Sequence, residues 1–342
     1  MEISAVIRTR NRAKSLHRLL TSLSVQNQKP HEVIIVDSSD VSLSVPELRM
    51  HYPTLNIIYS TSEPSSCLQH NKGIQLATAS HVLLCDDDLE IPADYLAFLG
   101  DFLTAHPHVG ALSGLLVELN GDGGRHDTFR TIRLAELLWR FVFQLTVWSD
   151  LNKIQTSSLA RPAFALLERF YRRRGNTFTM AGWPLVTQID SPFFRTSFFT
   201  LGGAVVRRDW LLRSPYDEVL DPNGIGDHYG VALKFPGQQS IVVLTQATVI
   251  HHKAGENRLS PEVTYFRRIL ALDYFMAVSP DFSAFNRFFF VWSLLGNLIV
   301  HSIRGRTEMR KATSRALMLI MRGHNPYVLA SKSGEKCVSP SV

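Results

Sequence analysis

Cysteine is scarce in this 342-residue chain. Cys67, Cys85 and Cys337 are scattered, and no Cys-x-x-Cys pair occurs. That excludes a disulfide framework and a sulfur-ligated zinc site as the organising feature, and makes a reducing compartment the expectation. Long apolar runs are missing too. The longest candidate, residues 288–300, has thirteen residues between Arg287 and His301, short of the roughly twenty that a spanning helix needs. Met1-Glu-Ile-Ser-Ala-Val-Ile7 carries no charged leader or cleavage site and runs straight into an apolar segment, so it is not expected to be a signal peptide. Residues 8–15 contain no glycine, which argues against the early Gly-rich phosphate loop of a nucleotidyltransferase. Repeats and long low-complexity tracts are also absent, and the polar segment 331–342 is expected to fray.

What is present describes a globular protein with a sizeable core. Hydrophobic residues make up 45% and charged residues 19%, within a length that suits one large domain or two ordinary ones. A net charge of +6 and a pI near 9.3 suggest an anionic partner. Charge alone does not choose between nucleic acid, anionic lipid and a nucleotide substrate.

Short apolar runs at residues 3–7, 32–37, 55–59 and 81–85 read as buried strands, with helical spacing at Leu16, Leu19, Leu20 and Leu23 and over 66–79 between them. Strands alternating with helices predict a mainly parallel sheet covered on both faces. Further strands are expected at 109–119, with a turn at 120–124, at 198–206 and at 240–250. Residues 125–192 fit the alternation poorly and contain two aromatic and basic helices, at 134–143 and 163–174. After His251 the chain reads as all-helical.

The most informative spot is Asp86-Asp87-Asp88, which closes the run His81-Val-Leu-Leu-Cys85. Like charges packed this tightly need a cation or several hydrogen-bond donors to offset their repulsion. Oxygen ligands of this kind suit Mg²⁺ or Mn²⁺ together with a substrate pyrophosphate. In parallel sheets ligands collect at the carboxyl ends of the strands, so Thr9, Asp37 and Asp86 to Asp88 are expected to share one crevice.

Five ordered segments resemble the family 2 inverting nucleotide-sugar glycosyltransferases. They are Val6-Ile-Arg-Thr-Arg-Asn-Arg12; Gln26 with Pro30-His-Glu-Val-Ile-Ile-Val-Asp37; His70-Asn-Lys-Gly73 with Ala77 and Leu83-Leu-Cys-Asp-Asp-Asp88; Gly202-Gly-Ala-Val-Val-Arg-Arg208; and Tyr216-Asp-Glu218. The resemblance covers residues 1–255 and implies a GT-A fold: a Rossmann-like, mainly parallel α/β sheet flanked by helices, here with a helical C-terminal extension at 256–342. It implies that Thr9, Arg12 and Asp37 lie around the nucleoside. Asn71 and Asp86 would shape the donor pocket, Asp87 would meet the ribose or the metal shell, and Asp88 would ligate Mn²⁺ or Mg²⁺. A histidine often follows the last strand of the family's sheet, which points to His251 and His252 as further metal or diphosphate contacts.

The chain also departs from the pattern. Arg10 stands where the family usually has Tyr, and His70 where it has Arg. The acceptor-loop Glu-Asp pair is replaced by Gly224-Ile-Gly-Asp-His-Tyr-Gly230. The general base can therefore be Asp227, after a shift of one residue, or His228. Carboxylate and imidazole can both take the acceptor proton; Asp227 is favoured because negative charge also stabilises an oxocarbenium-like sugar.

The expected partners are a nucleotide-sugar donor, with UDP as the nucleotide, and a glycan or polyprenyl-linked acceptor, without nucleic acid. The aromatic segment 288–300, followed by Arg304, Arg306, Arg310, Lys311, Arg315 and Arg322, suggests peripheral docking on the cytoplasmic membrane face rather than a span. The alternatives are a nucleotidyltransferase acting on a sugar phosphate, or a non-catalytic binder of lipid or nucleic acid. The second leaves carboxylates at three strand ends unexplained.

Overall fold

Alternate residues of the first strands are sorted into two cores. In β1 (Ile3–Thr9), β2 (Glu32–Asp37) and, after α2 (Val45–His51), β3 (Ile57–Thr61) and α3 (Ser66–Leu76), β4 (His81–Asp86), the residues Ile3, Ala5, Ile7, Val33, Ile35, Leu83 and Cys85 pack together with Leu16, Leu19, Leu20 and Leu23 of α1 (Ala13–Ser24). Their neighbours Val6, Ile34, Val36, Val82 and Leu84 join Cys67 and Ile74 of α3 on the opposite face. This period-two division is the physical reason that the strands read as continuous apolar runs: both faces are covered. Helix α3 lies so close to β1 that a Cβ at Gly73 would stand 2.4 Å from Val6 Cγ1.

The computed structural model describes residues 1–119, 129–256 and 258–334, with the backbone of 125–126; the turn expected at 120–124 lies outside them. Beyond β4 the chain continues through β5 (Leu89–Glu90), α4 (Tyr95–Ala105), β6 (Ala111–Leu119), β7 (Arg125–His126), α5 (Leu134–Val142), β8 (Val147–Trp148), α6 (Arg161–Arg174), β9 (Thr177–Phe178), β10 (Pro184–Val186), β11 (Phe193–Thr196), β12 (Val205–Arg207), α7 (Arg208–Arg213), α8 (Asp227–Leu233) and β13 (Ile241–His251). The large sheet runs β11-β13-β6-β12-β4-β1-β2-β3. Pairs β1–β2, β1–β4, β2–β3 and β6–β13 are parallel, while β12 is antiparallel to both β4 and β6. The mainly parallel α/β architecture expected of the chain is the one found.

Two expectations need correction. The strand placed at 198–206 shrinks to β12, because residues 198–204 form an irregular approach in which Gly203 has φ +81°. The aromatic and basic stretch also holds a small sheet, β8-β10-β9, beside its helices, with a core of its own around Leu137, Val147, Tyr171 and Leu185. Four helices complete the described residues: α9 (Pro261–Val278), α10 (Ala284–Ile303), α11 (Thr307–Met321) and α12 (Pro326–Ser333). Residues 331–333, expected to fray, belong to α12; the remainder of that tail, beyond Gly334, lies outside the described residues. None of the helices among the described residues is long and apolar enough to cross a membrane.

Candidate functional site

Strand register levels the carboxyl ends of the central strands. Thr9 pairs with Asp37 across β1–β2, and Arg8 pairs with Asp86 across β1–β4. Beside these ends opens a cavity of about 1470 Å³ whose wall includes Thr9, Arg12, Asp86, Asp87, Asp88, Asp227, His228 and His251. Three of the other residues singled out from the sequence, Asp37, Asn71 and His252, are not part of that wall.

The three aspartates have different partners. Asp86 Oδ1 accepts from Arg8 Nε at 2.8 Å. Burial pushes the Asp86 carboxyl up, but Arg8, helped by His228, His70 and His251, outweighs it and holds the group well below the usual carboxylate range. Asp87 accepts from Thr9 Oγ1 at 2.8 Å and from Arg12 Nη1 at 3.1 Å. Here burial prevails, and the carboxyl is pushed up to about 6. Asp88 accepts from the backbone N–H of Ala254 at 2.9 Å, lies 3.2 Å from His251 Nε2, and has Arg258 at 3.5 Å. Burial raises its pKa, and the hydrogen bond and charge of His251 more than reverse this. His251 is in turn raised by Asp88 despite its burial.

Asp227 is delivered by a glycine-dependent turn. Gly224 and Gly226 have φ +60° and +97°, and a Cβ at Gly224 would lie 2.8 Å from Asp227 Oδ2. The left-handed backbone and the lack of space both call for glycine there. The preceding segment is clipped to the start of α3: Asp221 Oδ1 accepts from Cys67 N at 2.9 Å, and Pro222 O accepts from Ser66 N at 3.0 Å. Asp227 Oδ1 accepts from His228 N at 2.7 Å. Its Oδ2 is buried without a hydrogen-bond partner among the described residues, with Arg8 Nη1 3.7 Å away. A buried acceptor left without a hydrogen bond calls for an explanation, and a ligand's donor is one. His228 Nδ1 accepts from the backbone N–H of Leu201 at 3.3 Å; with that lone pair engaged, a neutral ring carries its proton on Nε2.

The residues outside the wall brace neighbouring segments. Asp37 accepts from Ser39 N at 2.8 Å, Leu43 N at 3.2 Å and Tyr59 Oη at 2.8 Å, shaping the turn after β2. Asn71 brackets residue 216, donating to Tyr216 O at 2.9 Å and accepting from Tyr216 N at 2.8 Å. His252 turns away to Glu90 at 2.6 Å.

Sequence reasoning missed Arg8, Glu118 and Arg258, all in the wall. Arg8 had a readable signal. By strand parity it shares a face with Ser4 and Val6, so its cation points to the α3 side of a buried sheet, where it must meet anions. It bridges Asp86 and Asp227 and also donates to Ser66 Oγ. Burial opposes its charge, and those two aspartates more than restore it. Arg8→Gln is therefore expected to destabilise the fold by about 2 kcal/mol, toward the lower end for a broken ion pair because Arg8 and Asp86 both keep some exposure. Urea denaturation checks this, and an unchanged midpoint would contradict it.

A divalent ion can be tested against the donor set. Among the described residues no group of three or more His, Cys, Asp or Glu side chains gathers around one point; Asp88 and His251 converge as a pair at 3.2 Å. Mg²⁺ and ions like it are commonly held by one or two protein ligands with substrate phosphates and water, so a pair fits an ion completed by a diphosphate.

Comparisons with known proteins bear on the family and on the fold. The sequence model described as glycosyl transferase family 2 matches residues 4–211, ending before Asp227 and His251. An uncharacterized glycosyltransferase of Bacillus subtilis, YwdF, is 40% identical over 90 residues, which are 26% of this chain and 33% of YwdF. The match thus spans about a third of that relative's length. Residues 1–349 of S. aureus TarS, solved with UDP-GlcNAc, superpose with a TM-score of 0.53 at 15% identity over 98% of this chain and 93% of that one. GalNAc-T7 with UDP, GalNAc and Mn²⁺ gives 0.54 at 12% identity over 97% and 57%. At these identities the structures speak for a shared GT-A fold, while the family match covers more than half of the chain with the first strands and the aspartate run inside it. The chain belongs to glycosyl transferase family 2.

Proposed function

We propose that the protein is an inverting, metal-dependent transferase that moves a sugar from a UDP-sugar to a hydroxyl of a glycan or lipid-linked acceptor, in cell-surface polysaccharide synthesis. The observation that carries this reading is the meeting, in one cavity wall, of the Asp86 to Asp88 run at the end of β4, His251 from the end of β13, and Asp227, one oxygen of which has no hydrogen-bond partner among the described residues. TarS with UDP-GlcNAc and GalNAc-T7 with UDP and Mn²⁺ support the choice of nucleotide and ion class.

In this reading Thr9, Arg12 and Asp87 line the nucleotide side. Asp37 and Asn71 act behind them by holding the β2 turn and the segment around Tyr216. Asp88 and His251 would hold Mn²⁺ or Mg²⁺, which supplies charge neutralisation to the departing diphosphate. Asp227 Oδ2 accepts the acceptor's hydroxyl proton as that oxygen forms its bond to the anomeric carbon and the bond to UDP breaks on the opposite face. His228 donates from Nε2 to the acceptor or the sugar, and this is why the carboxylate, rather than the imidazole, takes the base role.

A donor screen by nucleotide release tests the reading. UDP-sugars should release UDP with Mn²⁺ or Mg²⁺ and not with EDTA. Release of pyrophosphate from UTP plus a sugar phosphate would favour a nucleotidyltransferase instead.

The membrane surface belongs to the same proposal. Along α10, Phe285, Phe288, Leu295, Ile299 and Ile303 form an exposed stripe, with Phe288 at 62% and Ile303 at 78% exposure, and basic residues follow in α11. Aromatics next to arginines suit the headgroup region of an anionic leaflet. The purified protein should co-sediment with anionic vesicles, less so at high salt and still less as Phe288→Glu. Equal binding to neutral vesicles at any salt would contradict this.

A further inference from the structure

The cavity continues well past the aspartates, between α5, α9 and the C-terminal end of α10, and the chemistry changes there. This far part is lined by Arg130, Arg133, Arg140, Arg268, Arg304 and Arg306, with Glu136 as the carboxylate among them. Glu136 is engaged by Arg140 at 2.7 and 3.1 Å, and Arg130 and Arg304 also lower its pKa. The same wall includes His301, 7% exposed, with neither ring nitrogen hydrogen-bonded among the described residues. Trp139 Nε1, on the α5 side of the same wall, is likewise buried without a partner. The elements are in contact around it: the Tyr265 ring of α9 lies 5.6 Å from that of His301, and Trp292 of α10 stacks on Phe143 at 4.9 Å.

Arg304 caps the end of α10, where a cation offsets the helix dipole. That accounts for one arginine of the set. It does not account for Arg268 on another helix, for Arg306, or for the buried His301 and Trp139 nitrogens left without hydrogen bonds among the described residues. Guanidinium forks around a partly enclosed imidazole match a tetrahedral oxyanion, which accepts from several donors at once. Burial, with Arg306 and Arg304 nearby, lowers the His301 pKa, so the ring keeps one N–H to offer without adding charge.

We propose that this far part of the cavity binds a phosphate group of the acceptor, held by Arg268, Arg304 and Arg306 around His301, and that the acceptor is therefore a phosphate-bearing molecule whose hydroxyl reaches Asp227. The inference rests on the transferase reading for the word acceptor; the anion site itself does not. The phosphate can come from a lipid phosphate or from a water-soluble phosphate ester, and the probes separate them.

Full-length protein is titrated calorimetrically with geranyl phosphate, glycerol phosphate, inorganic phosphate and geraniol, each with and without saturating UDP. The expected result is binding of the phosphate compounds in the presence of UDP, none of geraniol, and a loss of about tenfold or more in Arg304→Gln/Arg306→Gln and in Arg268→Gln. All three residues keep exposed surface, so these variants should fold. His301→Gln, which keeps a donor, should bind better than His301→Ala. Geranyl phosphate binding more tightly than glycerol phosphate identifies a lipid source, and the reverse identifies a soluble one; both support the site. Phosphate binding that UDP abolishes, or that the arginine variants leave unchanged, would overturn it. Failure of UDP itself to bind would overturn the donor reading, while the effect of the arginine variants on phosphate still decides this one.

Discussion

Asp227→Asn is expected to lower kcat by about two to four orders of magnitude while UDP affinity stays near that of the unaltered protein. The amide keeps the size of the side chain and can still accept from His228 N through its carbonyl oxygen. It replaces Oδ2, the buried atom without a hydrogen-bond partner among the described residues, with a group that cannot take a proton. Arg8, 3.7 Å from that oxygen, remains paired with Asp86, so the loss should appear in turnover rather than in folding. His228→Ala should cost much less, about tenfold and chiefly in acceptor KM, because its Nδ1 already serves the Leu201 backbone. A larger loss from His228→Ala than from Asp227→Asn would move the base to the imidazole. Near-normal turnover by both would remove the loop from the chemistry.

The second large effect is expected at Asp88. Asp88→Asn should reduce transfer by about a hundredfold or more, and EDTA should silence the unaltered protein until Mn²⁺ is restored. Asp88 is buried and also receives Ala254 N, His251 and Arg258, so a truncation to Ala disturbs packing as well as ligation. The asparagine variant, with thermal unfolding measured alongside, separates the two. Manganese binding can be followed directly by electron paramagnetic resonance with UDP present, where Asp88→Asn should leave most of the ion free. Unchanged manganese binding and full activity in EDTA would both contradict the assignment.

Much of this site was legible in the chain because it lies at strand ends. Val33 to Val36 and Val82 to Cys85 are continuous apolar runs that stop at carboxylates, and that pattern alone predicts a crevice there. Less legible were contacts that depend on where segments distant in sequence meet. Asp37 closes its strand as expected, yet its oxygens are taken by Ser39, Leu43 and Tyr59, and no spacing rule shows that. Neighbouring histidines at the end of β13 diverge, His251 to Asp88 and His252 to Glu90, as strand alternation allows but does not announce. Strand Val205–Arg207 was overextended because residues 198–204 are largely apolar yet form no strand, with Gly203 and Ala204 bonded to Leu84 in an irregular approach, and the small sheet β8-β10-β9 was missed because two- and three-residue strands carry too little periodicity to register. Arg8 is the instructive omission, since parity within β1 already placed its cation on a buried face.

The measurement that tests the central claim most directly is the stereochemistry of transfer. The product formed from an α-linked UDP-sugar should be followed by proton NMR, with the released nucleotide identified in the same sample. A single carboxylate acting on the acceptor from the face opposite the nucleotide predicts a β-linked product and one equivalent of UDP. An α-linked product, or release of UMP or pyrophosphate in place of UDP, would contradict it.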